Sequence, residues 1–146
     1  MKDYFFQLFE HEYWANLSVL EMYFKSRNPS ERATILMSHV IATQRVWLDR
    51  LKGNEMVVNP FEIFEDEALL ELLEINYIEL LRLIDEADFE QLFTYQNTED
   101  KQFTKNTGNT LTHLALHASY HRGQLVTLLK SDENPAVEMG FIHYGN

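Results

Sequence analysis

Apolar residues in this chain recur at steps of three and four in four separate stretches, a pattern that commits it to helices packed side by side. In the first, Phe6, Phe9, Tyr13, Leu17, Leu20 and Phe24 form the stripe of an amphipathic helix. The stretch "SRNPSE" ends it, and Pro29 with Ser30 suits the start of a second. There Leu36, Val40, Thr43, Trp47 and Leu51 make the stripe, and Gly53 reads as a C-terminal stop. A third runs from about Asp66 to Asp85, with Leu70, Leu73, Tyr77, Leu80 and Ile84 at a spacing suited to bundles. A fourth starts near Asn109 or Thr110, both capping residue types, and continues to about Lys130.

The connections differ in kind. About three residues join helices one and two, which predicts antiparallel neighbours. By contrast, "GNEMVVNPFEIFED" is long enough to cross the bundle. The segment "FTYQNTEDKQFTKN" alternates through Phe93, Thr94, Tyr95 and Gln96 and returns through Phe103, which predicts a small β-hairpin or an extended loop capping one end. With no internal repeat or low-complexity tract, the expectation is one all-α domain over residues 1–146, a four-helix bundle with a short hairpin between helices three and four.

Charge and composition narrow the function classes. A net charge of −11 with only 12 Lys and Arg argues against nucleic acid, whose phosphates need clustered basic residues. Cysteine is absent, so the protein offers no disulfide, no thiolate nucleophile and no Cys-type zinc site. The start, "MKDYFFQLFEHEYWAN", takes on charge too early for a signal peptide, and no stretch approaches the roughly 20 apolar residues of a membrane span. A soluble cytoplasmic protein is expected.

The chemistry concentrates in "HLALHASYHRGQL", where His113, His117 and His121 lie four residues apart. Residues four apart share a helix face, so two imidazoles can converge on one ion with metal–nitrogen bonds near 2.0–2.1 Å. Residues eight apart are separated by about 12 Å of rise, too far for easy sharing. The pair is therefore His113 with His117, or His117 with His121. A ligand from another helix is needed. His39 lies three residues after Leu36 and four before Thr43, on the inner side of helix two. His11, flanked by Glu10 and Glu12, reads as solvated, and in a hairpin of helices one and two it sits roughly 7–8 Å of rise from His39. A single helical histidine on an apolar face is more often a hydrogen-bonded core residue; a third inward histidine on a second helix raises the ligand reading to equal weight.

Neighbouring residues add expectations. Gly123 interrupts a good helix at a cost of about 1 kcal/mol, which suggests close approach of another helix. Arg122 projects outward, and Gln124 lies almost beneath His117, where it is either a ligand partner or a polar group at the pocket mouth. Competing sites fall away: no histidine has Glu three residues before it as di-iron bundles require, residue 118 is Ala where a zincin needs Glu, and no phosphate loop or Gly-x-Ser-x-Gly elbow occurs.

The stretch "HASYHRGQL" resembles the "HxxxHRGQ" signature of the DinB-like (DinB/YfiT) four-helix-bundle proteins. "YWAN" (Tyr13 to Asn16) and "SHVIATQRVWLDRL" (Ser38 to Leu51) are similar to that family's first and second helices, and "GFIHY" to its short C-terminal hydrophobic segment. The resemblance spans nearly the whole chain. It implies a divalent metal, zinc or nickel above all, bound by His39, His117 and His121, and so selects between the pairs that spacing leaves open. It also implies an up-down-down-up topology, consistent with the long crossover after helix two, and homodimerisation. Some relatives are metal-dependent transferases or isomerases using low-molecular-weight thiols. One departure is the hairpin turn "NTEDKQ", which lacks the glycine that family members often carry.

Three neutral imidazoles leave coordination positions open, the pattern of a catalytic rather than a closed structural zinc site. With no cysteine in the chain, any thiol arrives as a cosubstrate. Asn16, His113, Tyr120 and Gln124 are candidate pocket residues. Two function classes follow: a metal-dependent transferase or hydrolase of a small molecule, or a non-catalytic metal- or ligand-binding bundle serving a stress response. A solvent-reachable site with an open position favours the first; a sealed four-ligand site favours the second.

Overall fold

The computed structural model describes residues 1–145. Among them are four long helices, α1 (Lys2–Lys25), α2 (Glu31–Lys52), α3 (Asp66–Glu86) and α4 (Thr107–Leu129), with strands β1 (Leu92–Gln96) and β2 (Gln102–Asn106) before the last. The two strands form an antiparallel hairpin in which Thr94 faces Thr104 and Tyr95 faces Phe103. A single 3₁₀ turn, Phe141–His143, follows near the C-terminus. No helix among the described residues is long and apolar enough to cross a membrane.

Local chemistry sets the helix ends. The Ser30 hydroxyl accepts from the Ala33 backbone N–H at 3.2 Å, capping α2, and Gly53 closes that helix in the left-handed conformation at φ 68°. Helix α4 begins earlier than the sequence suggests. Its cap is Asn106, whose Oδ1 accepts from the Asn109 N–H at 2.7 Å, so strand β2 runs straight into the helix without a loop.

Helix α1 packs between α3 and α4, and so does α2, while α1 and α2 barely touch. The short linker therefore joins diagonal helices, not the neighbours its length suggests. Five residues, 26–30, reach roughly 17 Å when extended, and the diagonal of a square of helices 8–10 Å apart is roughly 13 Å. Pairings fix the register. Lys2 meets Asp85 and Tyr13 stacks on Tyr77, so numbers fall along α3 as they rise along α1. Asn76 donates to the Ile41 carbonyl and Arg45 pairs with Glu79, so numbers rise together along α2 and α3.

The core divides in two. Val19, Leu20, Met37, Val40, Leu73 and Leu125 anchor one apolar cluster, and Phe5, Phe9, Leu48, Leu80, Ile84 and Leu111 the other. Where they part, α1 carries Glu12 and Asn16, α2 carries Thr43, Gln44 and Arg45, and α3 carries Asn76, all buried. A polar layer thus crosses the middle of the bundle, and the histidines of α4 lie at that level.

Candidate metal centre

Antiparallel contact between α2 and α4 sets His39 opposite the turn that carries His117 and His121. The His39 ring lies edge-on to both, with ring centres 5.0 Å from each, and the His117 and His121 rings are 4.5 Å apart. Each of the three offers one nitrogen, and these nitrogens all lie within 4.8 Å of one another. His39 Nε2 and His117 Nε2 are 3.2 Å apart. Two nitrogens bound to one ion at 2.0–2.1 Å, at angles between 90° and tetrahedral, are separated by roughly 2.9–3.4 Å, so this pair already has ligand spacing.

Hydrogen bonds on the far side of two rings fix which nitrogen is free. His39 Nδ1 donates to the Pro60 carbonyl at 2.7 Å, and His121 Nδ1 donates to the Gln124 side-chain oxygen at 2.7 Å. Protonation at Nδ1 leaves the neutral ring's Nε2 with a lone pair, so these partners orient the rings as ligands rather than donors. Burial disfavours the imidazolium form. It pushes His117 from the ordinary 6.5 down to about 4, helped by the neighbouring charges of His121, His39 and His113. Burial also lowers His39, against the pull of the Pro60 carbonyl, and lowers His113. Three convergent imidazoles are a borderline-soft donor set, and they fit a divalent ion such as zinc or nickel.

The other candidate residues divide. His113 is exposed as a residue although neighbouring rings partly desolvate its imidazole, and it stays outside the convergent group; its ring lies 5.8 Å from His117 and 5.5 Å from Trp47. Tyr120 is 66% exposed, its ring 5.1 Å from that of His121. Gln124 is the partner of His121. Asn16 is fully buried and belongs to the bundle interior, where its Oδ1 accepts from Arg122 at 2.8 Å.

Three sequence expectations need correction. Arg122 is buried, not outward, because its guanidinium donates to both Glu12 carboxylate oxygens at 2.7 Å and to Asn16. His11 is only 4% exposed: the chain after α4 folds back over α1, and His11 Nε2 donates to the Met139 carbonyl at 2.8 Å while Phe141 meets its ring edge-on. A Cβ added at Gly123 meets nothing within 4 Å, so no helix of this chain approaches there. Sequence reasoning also missed an aromatic neighbour of the cluster. Phe61, on the crossover loop, stacks flat on His39 with ring centres 4.7 Å apart, placed there by the same loop that supplies the Pro60 carbonyl.

Fold and site together define a helical bundle with a three-histidine cluster able to hold a metal ion. The chain belongs to the DinB family, whose model matches residues 9–135. No curated protein and no solved structure matches it.

Proposed function

We propose that this protein is a divalent-metal-dependent enzyme acting on a small molecule, with His39, His117 and His121 as the ligands and zinc or nickel as the ion. The observation that carries the reading is the convergence of three imidazole nitrogens, with the opposite ring positions of His39 and His121 tied to Pro60 and Gln124. Metal-ligating histidines characteristically carry such outer partners. Three protein ligands leave coordination positions for substrate, which favours chemistry over structural support. When bound, the ion supplies Lewis acidity that activates a thiol or a water.

This chain's own groups then bind and orient. Phe61 and Tyr120 set aromatic surfaces beside His39 and His121, against which a substrate packs. Because the chain lacks cysteine, the thiol of a transferase reaction is a low-molecular-weight cosubstrate. The reading includes an up-down-down-up course for the four helices as a single domain, supported by the register of α1 with α3 and of α2 with α3. It also includes a cytoplasmic homodimer. A non-catalytic metal-binding bundle is the second reading. It is favoured by one observation: among the described residues no carboxylate joins the three histidines, so no ready proton acceptor stands beside them.

Zinc and nickel titration by calorimetry tests the ligand set. Parent protein and His113→Ala are expected to bind one ion per chain, and His39→Ala, His117→Ala and His121→Ala to lose tight binding. Equal binding by the parent and those last three variants overturns the site.

A further inference from the structure

Arg50 is an unusual cation for so acidic a chain. Acidic residues outnumber basic ones 23 to 12, and Arg45 on the same helix is paired with both Asp49 and Glu79. Arg50 makes no ion pair among the described residues. Its guanidinium instead lies 4.7 Å from the ring centre of Trp47 and 4.7 Å from that of Tyr95 on strand β1. Its one hydrogen bond is a long one, 3.5 Å, to the Gln96 carbonyl, and its Nε is buried without a partner. Burial without a carboxylate pulls its pKa below the ordinary arginine value. The two rings hold the part-buried cation in place with no carboxylate beside it, so its solvent-facing guanidinium edge is free to meet an anion from solution.

The position connects this cation to the histidines. Trp47 meets the His113 ring at 5.5 Å, and His113 meets His117 at 5.8 Å, so an unbroken run of rings leads from the guanidinium to the cluster. Along α2, Arg50 lies eleven residues beyond His39, roughly 16 Å of helix rise.

We propose that Arg50, framed by Trp47 and Tyr95, anchors a carboxylate at the far end of the small molecule whose reactive end is held at His39, His117 and His121. This assignment rests on the metal-site reading above and adds the substrate class: an elongated monoanion, on the scale of a two- or three-residue peptide, which spans roughly 10 Å extended before its side chains are counted. A single guanidinium, with Lys52 two residues on already paired with Glu79, matches a carboxylate's charge and planar fork. In a chain of net charge −11 such a cation is an exception, so the anchor also fixes which end of the ligand points away from the histidines.

The test uses the full chain with Trp14→Phe, which leaves Trp47 as the only tryptophan and makes its emission a local reporter. The zinc-loaded protein is titrated with N-acetyl-cysteinyl-diglycine as the free acid and as the C-terminal amide, following Trp47 emission and heat. The acid is expected to bind about tenfold tighter than the amide or better, as a charge-assisted hydrogen-bond pair provides, and to shift Trp47 emission. Arg50→Met is expected to abolish the preference while leaving zinc affinity and amide binding unchanged. Equal binding of acid and amide by the parent overturns the proposal without any variant being needed. Equal weakening of both by Arg50→Met also overturns it, because the residue then only supports the hairpin. Failure of the parent to bind zinc overturns the metal-site reading instead. The anchor is then read alone from Trp47 emission with N-acetyl-triglycine and its amide on the metal-free protein, where no difference between the two overturns it.

Discussion

Arg122 places a full positive charge in the interior beside the histidine it follows, and Glu12 with Asn16 makes that tolerable. Both guanidinium–carboxylate contacts are 2.7 Å and all three side chains are buried, so removing one partner leaves a charge with neither water nor counterion. Arg122→Met is expected to cost about 3–5 kcal/mol, and Arg122→Met with Glu12→Leu to recover most of that loss, measured by urea unfolding. A double variant no more stable than the single would show that the pair is not the source. Histidine protonation gives a second expectation at this scale. The native state resists protonating His117 until about pH 4, whereas the unfolded chain takes the proton near 6.5. Between those values the unfolded state binds more protons, so stability rises with pH there and falls as pH drops from about 6.5 towards 4. Thermal melts of chelator-treated protein are expected to show that slope, and His117→Phe to flatten it; an unchanged slope in the variant would assign the effect elsewhere. Little of this was legible in the sequence. Arg122 projects outward only if helix α4 is judged by its apolar stripe, and its partners lie more than a hundred positions away, which no local pattern carries.

The hairpin shows how far element-level signals reach. Alternation from Phe93 to Gln96 and the return through Phe103 marked the strands, because period-two spacing is local. The turn is another matter. Asp100 adopts φ 60°, the left-handed region that glycine enters without penalty, in the very turn that lacks the expected glycine. Asn97 compensates: its Oδ1 accepts from the Glu99 and Lys101 N–H groups at 3.0 and 2.9 Å, closing the loop with side-chain hydrogen bonds. Asp100→Gly is expected to stabilise the protein by about 0.5–1 kcal/mol, and Asn97→Ala to destabilise it by a similar amount, in chemical denaturation. A loss of stability in Asp100→Gly would mean the aspartate side chain contributes more than its backbone costs. Helix limits were legible where caps are strong, at Ser30 and Gly53. At α4 they were not, because Asn106 ends a strand and caps a helix at once, and the two readings compete for one residue.

At the scale of the whole molecule, the four stripes were enough for four helices, but not for their neighbours. Linker length fixes only that α1 and α2 turn back on each other; which pair shares a face depends on side chains distant in sequence, such as Tyr13 on Tyr77. His39, His117 and His121 came from two stripes that spacing could not dock, and the family resemblance named the set. The outer surface of α4 carries the remaining large-scale expectation. Leu116 and Tyr120 are one turn apart and mostly exposed, and Gly123, on the same side of the helix, has open space where a Cβ would stand. Within one chain, a glycine there only costs helix stability, about 1 kcal/mol relative to alanine. Across a twofold axis it permits two α4 helices to approach closely, with Leu116 and Tyr120 closing over the contact. Sedimentation equilibrium at tens of micromolar is therefore expected to show a species of twice the 17.3 kDa chain mass. Gly123→Arg is expected to shift it to the monomer while leaving helical content and zinc affinity unchanged, since the single chain has room for the side chain. A parent protein that sediments as a monomer would remove the homodimer, and a Gly123→Arg variant that remains dimeric would move its interface off α4.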